Sequence, residues 1–533
     1  MRQRMQAGPP AGAGELWAGM GAAALSGAAL GVIFPSWGWD WLAWVALVPL
    51  WMAIARAGNA GRALVYGYLT GIIFFALSCP WIRTTIEHYG ELSAGVAGFV
   101  FVLFLLLMGS YLALFAWLGY AVGRGLGHRL LPLPFLWVAV ELLRTYTPMG
   151  GFPWNLLGYS QYEHAGFMLV APVAGVYGAS LLIALANTCL AALLLRAFGG
   201  REPWPRRLDA WLGVGLGLIL AYATLPYHPP SNSDHDLHAR LVQPNTALSG
   251  SWDNARMEQF LQQQVKLSVP RLPAPKLDLV LWPEQPAPID YALQPGFQAA
   301  TAQITSATQA AFVFDQVTYG VEGGQLDVRQ PRNSALLIHA DGTTGSRYDK
   351  MHLVPFGEYV PLPAWLRRIG GVGKLVQGVG DFVPGSEQTL FEVEGHRFAT
   401  LICYESIFPQ LSRQAVLHGA EWLVNLSDDA WYGGSSAGAQ GLMMAQVRAM
   451  ENRRWLLRDT NDGYTAVVDP YGRITAELPR FQAAALTAGF QPRTATTFYT
   501  RHGDWCAYLC CLVAAVLALA AGLRRALQVG SAP

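Results

Sequence analysis

Over the first 227 residues apolar positions come in long runs, near 16 to 34, 40 to 55, 63 to 82, 94 to 118, 130 to 146, 167 to 195 and 208 to 226. One more run covers 504 to 523. A bilayer core of about 30 Å is crossed by about 20 mostly apolar residues in a helix, so the pattern predicts about eight spans. The fifth run, holding Pro132, Pro134 and Glu141, is short and interrupted, and a re-entrant or interfacial piece is its alternative reading.

Between 228 and 503 the pattern changes to short β-rich runs set among Pro, Gly and charged residues. Predicted strands are His238 to Gln243, Leu277 to Trp282, Ala311 to Tyr319, Ser334 to His339, Phe398 to Cys403, Glu421 to Asn425 and Thr465 to Val468. Helices are expected near 253 to 269, where Met257, Phe260, Leu261 and Val265 share a face, after Cys403, and over about 441 to 454. Strands alternating with helices imply an α/β sheet covered by helices. The expected organisation is helices over 1–227, a folded domain over 228–503, and a final span with its tail over 504–533.

Composition supports the membrane reading, with 53% hydrophobic and only 13% charged residues, against roughly a quarter charged in an average soluble domain. A net charge of +1 gives no argument for a nucleic-acid partner. The first run follows Arg2 and Arg4 like a signal peptide, but further spans follow at once, which favours an uncleaved helix. Arginine also sets the expected orientation. Arg56, Arg62, Arg124, Arg129, Arg196, Arg201, Arg206, Arg207, Arg524 and Arg525 fall on the N-terminal side, and only Arg83 and Arg144 fall in short loops opposite. Both termini are therefore expected in the cytoplasm and the 228–503 domain outside.

Of six cysteines, Cys79, Cys189, Cys506, Cys510 and Cys511 lie in apolar runs, and only Cys403 lies in the domain. No disulfide framework is implied. Phe398 to Ile402 reads as a buried strand that turns abruptly at Cys403 into helix-like sequence. A thiol at such an elbow faces a helix N-terminus, whose partial positive charge favours thiolate. Core filler is the alternative, since free cysteine usually behaves as a small buried hydrophobe.

Two other segments offer chemistry. Leu277 to Glu284 is an apolar strand closed by Pro283 and a carboxylate, and α/β sheets keep their ligand crevices at that end of a strand. Tyr348 to Glu358 packs Lys350, His352 and Glu358 into one Pro- and Gly-bearing loop. Each of these charges, taken alone, also reads as a solvated loop residue.

Taken together, Trp282-Pro283-Glu284, Lys350 to Pro361 and Cys403-Tyr404-Glu405 resemble the nitrilase superfamily, and with eight spans around them the chain resembles the apolipoprotein N-acyltransferase family. Thr460-Asn461-Asp462-Gly463 is similar to a late block of that family, whereas Gly434 and Gln440 depart from its pattern. The resemblance implies a polytopic α-helical membrane protein carrying an α/β, nitrilase-like αββα sandwich domain in the bacterial inner membrane, facing the periplasm. It implies a Glu284, Lys350 and Cys403 triad that moves a fatty acyl group from a phospholipid, through a thioester, to the α-amine of a diacylglyceryl apolipoprotein. Glu358, Tyr404 and Glu405 would support the site, and Trp252 and Trp365 would meet substrate. No metal or cofactor is implied.

The apolar, glycine-rich segment 362–386 reads as a lid dipping into the outer leaflet, or else as plain packing against the spans. Other readings of the whole chain are a membrane-anchored amidase or nitrilase, and a transporter with an accessory domain. Transporters usually show intramembrane charges or broken helices, and here only Glu141 and Arg144 qualify.

Overall fold

In a bilayer every backbone N–H and C=O must be satisfied within its own segment, and the apolar runs accordingly fold as helices. The computed structural model describes residues 13–530 except 36, 90–92, 199–206, 229, 231–235, 249–250, 272, 323–324 and 362–380. The first helices are α1 (Ala13–Val32), α2 (Val48–Arg56), α3 (Ala60–Ser78), α4 (Trp81–Tyr89), α5 (Ala94–Leu126), α6 (Leu133–Tyr146), α7 (Ala171–Ala197) and α8 (Arg207–Ala223). Among the described residues, Ala60–Ser78, Ala94–Leu126, Phe167–Ala197 and Trp505–Gln528 are by themselves long and apolar enough to cross a membrane.

The second and fifth runs differ from simple spans. Asp40–Trp44 forms a 3-10 turn, and α2 starts only at Val48. Helix α6 has 14 residues, or about 21 Å at 1.5 Å per residue, and it carries Pro134 in its first turn, where proline is tolerated. Arg144, expected in a loop, sits instead in the last turn of α6, buried, with its guanidinium donating to Phe152 O at 2.9 Å and Trp154 O at 2.6 Å. Arg83 likewise lies on α4. Helix α7 is broken at Gly175, whose φ is +64°, and a side chain there would strike the Tyr499 ring. The Val176 N–H that follows donates to Glu451 Oε1 at 2.8 Å.

The domain between α8 and the last span is built on two six-stranded sheets. Its strands are β1 (Leu237–Gln243), β2 (Leu279–Leu281), β3 (Ala311–Glu322), β4 (Gln325–Ile338), β5 (Thr344–Asp349) and β6 (Leu390–Val393). They continue with β7 (His396–Ile402), β8 (Trp422–Ser427), β9 (Leu456–Thr460), β10 (Ala466–Val468), β11 (Ile474–Glu477) and β12 (Ala484–Phe490). The sheet orders are β12-β1-β2-β3-β4-β5 and β11-β10-β9-β8-β7-β6. Leu241, Leu281 and Val313 of the first meet Ile402, Trp422 and Leu457 of the second in one core. Helices α9 (Asn254–Ser268) and α10 (Pro295–Thr308) cover the outer face of the first sheet, and α11 (Pro409–Leu417) and α12 (Ala437–Asn452) that of the second. The result is an αββα sandwich. Strands β7, β8 and β9 are parallel, and β8 is buried along its whole length, as a strand covered on both faces must be.

The sandwich does not stand clear of the spans. Met443, Met444, Val447 and Met450 of α12 belong to the same buried cluster as the bundle helices. Gln440 of α12 accepts from Trp154 Nε1 at 2.6 Å and donates to Pro35 O at 2.6 Å and Ser78 O at 2.9 Å, so one amide ties three bundle segments to the domain. That departure from the family pattern is thus a clasp between domain and bundle. The short α13 (Phe498–His502) leads into α14 (Trp505–Gly530), which packs on α5, α6 and α7.

Candidate active site

Each predicted reactive residue follows the C-terminal end of a strand. Glu284 comes three residues after β2, Lys350 directly after β5, and Cys403 directly after β7. The parallel pairing of β1, β2 and β3 and of β7, β8 and β9, with two antiparallel steps from β3 through β4 that return β5 to the direction of β3, aims these strand ends the same way within each sheet. Folding therefore joins residues that stand far apart in sequence.

Lys350 Nζ donates to Glu284 Oε1 at 3.1 Å and to Glu358 Oε1 at 2.9 Å, and its side chain is 1% exposed. Asn333 Nδ2 reaches the same two oxygens at 3.1 and 2.9 Å. The second oxygen of Glu284 accepts the Asp428 N–H at 3.1 Å, and that of Glu358 accepts the Val354 N–H at 2.8 Å. Both carboxylates are thereby fixed in rotation as well as position. Burial acts to lower Lys350, but Glu284 and then Glu358 outweigh it and hold the amine above its ordinary value, so it stays a cation.

The Cys403 thiol lies against Glu284 and Ser427. Its backbone φ is +51°, a left-handed conformation that costs a non-glycine residue about 1–3 kcal/mol and persists only where the surroundings hold it. Those surroundings are explicit. Asn425 Nδ2 donates to Leu401 O at 2.9 Å, and Ser406 Oγ donates to Cys403 O at 3.1 Å. Glu405 accepts from Ile402 N at 2.8 Å on one oxygen and from Tyr348 OH, Met351 N and His352 N at 2.8, 2.8 and 3.0 Å on the other. One carboxylate thus joins the cysteine turn of the second sheet to the lysine loop of the first. Burial raises Glu405 above its ordinary range, against these donors.

Burial, and next the Glu284 charge, drive the Cys403 thiol well above its ordinary value, with Lys350 opposing. This corrects the expectation of a helix-stabilised thiolate. The residues after the thiol form a 3-10 turn, Cys403–Ile407, and α11 begins only at Pro409. The resting group is a neutral thiol in reach of a base.

The other predicted residues are more scattered. Tyr404 points away from the triad, donating its OH to Gly151 O of the bundle at 3.3 Å. Trp252 packs edge-on against Phe260 with the Arg256 guanidinium over its ring, and it lines a cavity of about 290 Å³ with Gln285, Ile289, Tyr319 and Asn461. Gln285 follows Glu284 in the chain, but Glu284, Lys350 and Cys403 do not line this cavity. His352 packs on Phe408, and burial pushes it down to about 4, leaving it neutral. Trp365 lies outside the described residues, as does most of the predicted lid. Sequence reading passed over Asn333 because Gln330 to Asn333 looks like the polar lead-in to an apolar strand.

Two family models divide the chain between them. Residues 26–189 match the one described as the apolipoprotein N-acyltransferase N-terminal domain, and residues 239–499 match that described as carbon-nitrogen hydrolase. An apolipoprotein N-acyltransferase of Geobacter metallireducens is 36% identical over 95% of this chain and 96% of its own. One from Methylococcus capsulatus is 32% identical over 84% of this chain and 85% of its own. Among solved structures, an amidase from Nesterenkonia sp. aligns with a TM-score of 0.35 and 19% identity, covering 49% of this chain and 92% of that one. With both the membrane bundle and the sandwich matched by family models, and relatives alike from end to end, the chain is a member of the apolipoprotein N-acyltransferase family.

Proposed function

We propose that this protein transfers a fatty acyl chain from a phospholipid to the N-terminal α-amine of the diacylglyceryl-cysteine of apolipoproteins, the last step of bacterial lipoprotein maturation. The observation that carries this reading is the seat of the nucleophile turn. Tyr404, Ile407 and Phe408 are buried in the same cluster as the bundle helices, while Cys403 belongs to the core between the two sheets, so the thiol stands at the junction of sandwich and bundle, which supports an acyl donor that comes from the bilayer.

In the first half-reaction Glu284 takes the Cys403 proton and the sulfur attacks the ester carbonyl carbon of the donor. Lys350 and the Tyr404 N–H, which opens a turn and has no partner inside it, face the oxyanion of the tetrahedral intermediate. Collapse breaks the ester C–O bond, Glu284 returns its proton to the departing lysophospholipid, and a thioester remains. In the second half the acceptor amine attacks the thioester carbonyl carbon, Glu284 takes the amine proton, the C–S bond breaks as the amide forms, and Glu284 passes that proton to the leaving sulfur. General base help of this kind is worth about 10²- to 10⁴-fold.

Incubated with phospholipid alone, the full-length protein is expected to gain one acyl mass by intact mass spectrometry. A diacylglyceryl-cysteine peptide should then remove that mass and carry it as an amide. Acylation from small amides but not from phospholipid would favour the amidase reading instead.

The sandwich is assigned to the periplasmic side of the inner membrane and both termini to the cytoplasm, supported by Arg56, Arg62, Arg124, Arg524 and Arg525, which lie in the end portions of their helices, and by Arg129 between α5 and α6. A reporter fused after Gly250 should be active only outside the cytoplasm. Cytoplasmic activity at that fusion would overturn the orientation.

A further inference from the structure

Glu284, buried, and Glu358, partly buried, share one cation, Lys350. The lysine is not their only common partner. Asn333 Nδ2 donates to Glu284 Oε1 and Glu358 Oε1 at 3.1 and 2.9 Å, the same oxygens and nearly the same distances as Lys350 Nζ. The side chain is 2% exposed. Its orientation follows from chemistry, because an ionised carboxylate only accepts and the amide must turn its NH₂ edge toward both. The backbone sets the same register. Asn333 pairs with Val317 of β3, and its carbonyl accepts the Lys350 N–H at 2.8 Å, so lysine and amide are placed by one strand junction.

The surroundings are otherwise acidic. Asp315 and Asp428 are buried next to Glu284, and both are driven well up, by burial first and by the Glu284 charge second. Lys350 has three N–H groups and gives two to the carboxylates, so one is left for a developing oxyanion. An uncharged double donor beside it steadies both carboxylates without drawing on that third group.

We infer that Asn333 is a positioning residue for acyl transfer, which holds Glu284 in orientation and leaves one Lys350 N–H for the oxyanion. The inference rests on the roles proposed above for Glu284 and Lys350. A carboxylate stripped of a donor holds its proton more tightly. Loss of Asn333 should therefore weaken the base most at low pH and least at high pH.

The test follows acylation of Cys403 from phospholipid by intact mass from about pH 5 to 9, with full-length Asn333→Leu and Asn333→Ser beside wild type. Asn333→Leu, of similar volume and without a donor, is expected to acylate about 10- to 100-fold more slowly at pH 7, a fraction of the full general-base contribution. The acidic limb of its profile should move upward, and raising the pH should recover part of the loss. Asn333→Ser keeps one donor in less volume and should fall between the two. Wild-type rates in Asn333→Leu overturn the inference. If that variant does not fold, Asn333→Ser decides: a loss equal at every pH with the limb unmoved means a purely structural role. Absence of a Cys403 adduct in the wild type would instead defeat the underlying triad, so the two failures are distinct.

Discussion

Cys403→Ala, incubated with phospholipid, is expected to show no acyl mass at any time point, while wild type reaches one acyl group per chain. The other five cysteines lie in apolar segments of the bundle and the last helix, outside the sandwich. Hydroxylamine should strip the wild-type adduct, since it cleaves thioesters readily and amides poorly. The expected loss is that of removing a covalent nucleophile, about 10⁶-fold in turnover. Alanine meets the same backbone cost at φ +51° as cysteine, so Tm should change little and the loss should be chemical. An adduct that persists in Cys403→Ala would refute the mechanism.

Glu284→Gln and Lys350→Met are expected to fail in different ways. With the thiol held well above its ordinary value by burial, almost none is thiolate at pH 7, and the first half-reaction depends on Glu284. The glutamine amide cannot take the proton, and acylation should fall by about 10²- to 10⁴-fold. Removing the Glu284 charge also removes one of the causes that, after burial, raise the thiol, so alkaline pH should partly restore the variant. Lys350→Met keeps the base but leaves the oxyanion without its cation, a loss of about 10²- to 10³-fold for one such donor. It also leaves the buried Glu284 and the partly buried Glu358 without their shared ammonium, and a buried pair broken in this way costs about 3–5 kcal/mol. A lowered Tm is therefore expected for Lys350→Met and not for Cys403→Ala. Equal acylation rates in Glu284→Gln and wild type would remove Glu284 from the base role.

Most of the architecture was legible because burial writes itself into apolar runs. All seven predicted strands occur, within a few residues at most ends, and so do the three predicted helices of the sandwich. What escaped did so for identifiable reasons. Strand β9 carries Arg458 and Asp459, both buried, with Arg458 bonded to Asp429 at 2.7 Å, and such paired charges look like loop residues in a sequence. Strand β12 is Ala-, Thr- and Gly-rich and owes its place to antiparallel pairing with β1, a partner about 240 residues away that no local pattern reveals. Helix α10 is built from Ala, Thr and Gln and has only a weak apolar stripe. At the site, the elements that carry Glu284, Lys350 and Cys403 were readable, whereas the second donor, Asn333, became visible only once β4 lay beside β5.

The late position of α14 in the chain bears on how the protein is made. A ribosome finishes α1 to α8 and the entire sandwich before it supplies Trp505–Gly530, yet this helix covers α5, α6 and α7. Ala521 fits against Gly125 of α5, where an added methyl would come within 2.6 Å of it, and Trp505 donates its indole N–H to Val173 O at 2.8 Å. Until then the groove on α5 has no cover from its own chain. Insertion of the last helix is thus a closing step that can follow only a fully synthesised sandwich, and chains truncated before it leave this face of α5 uncovered.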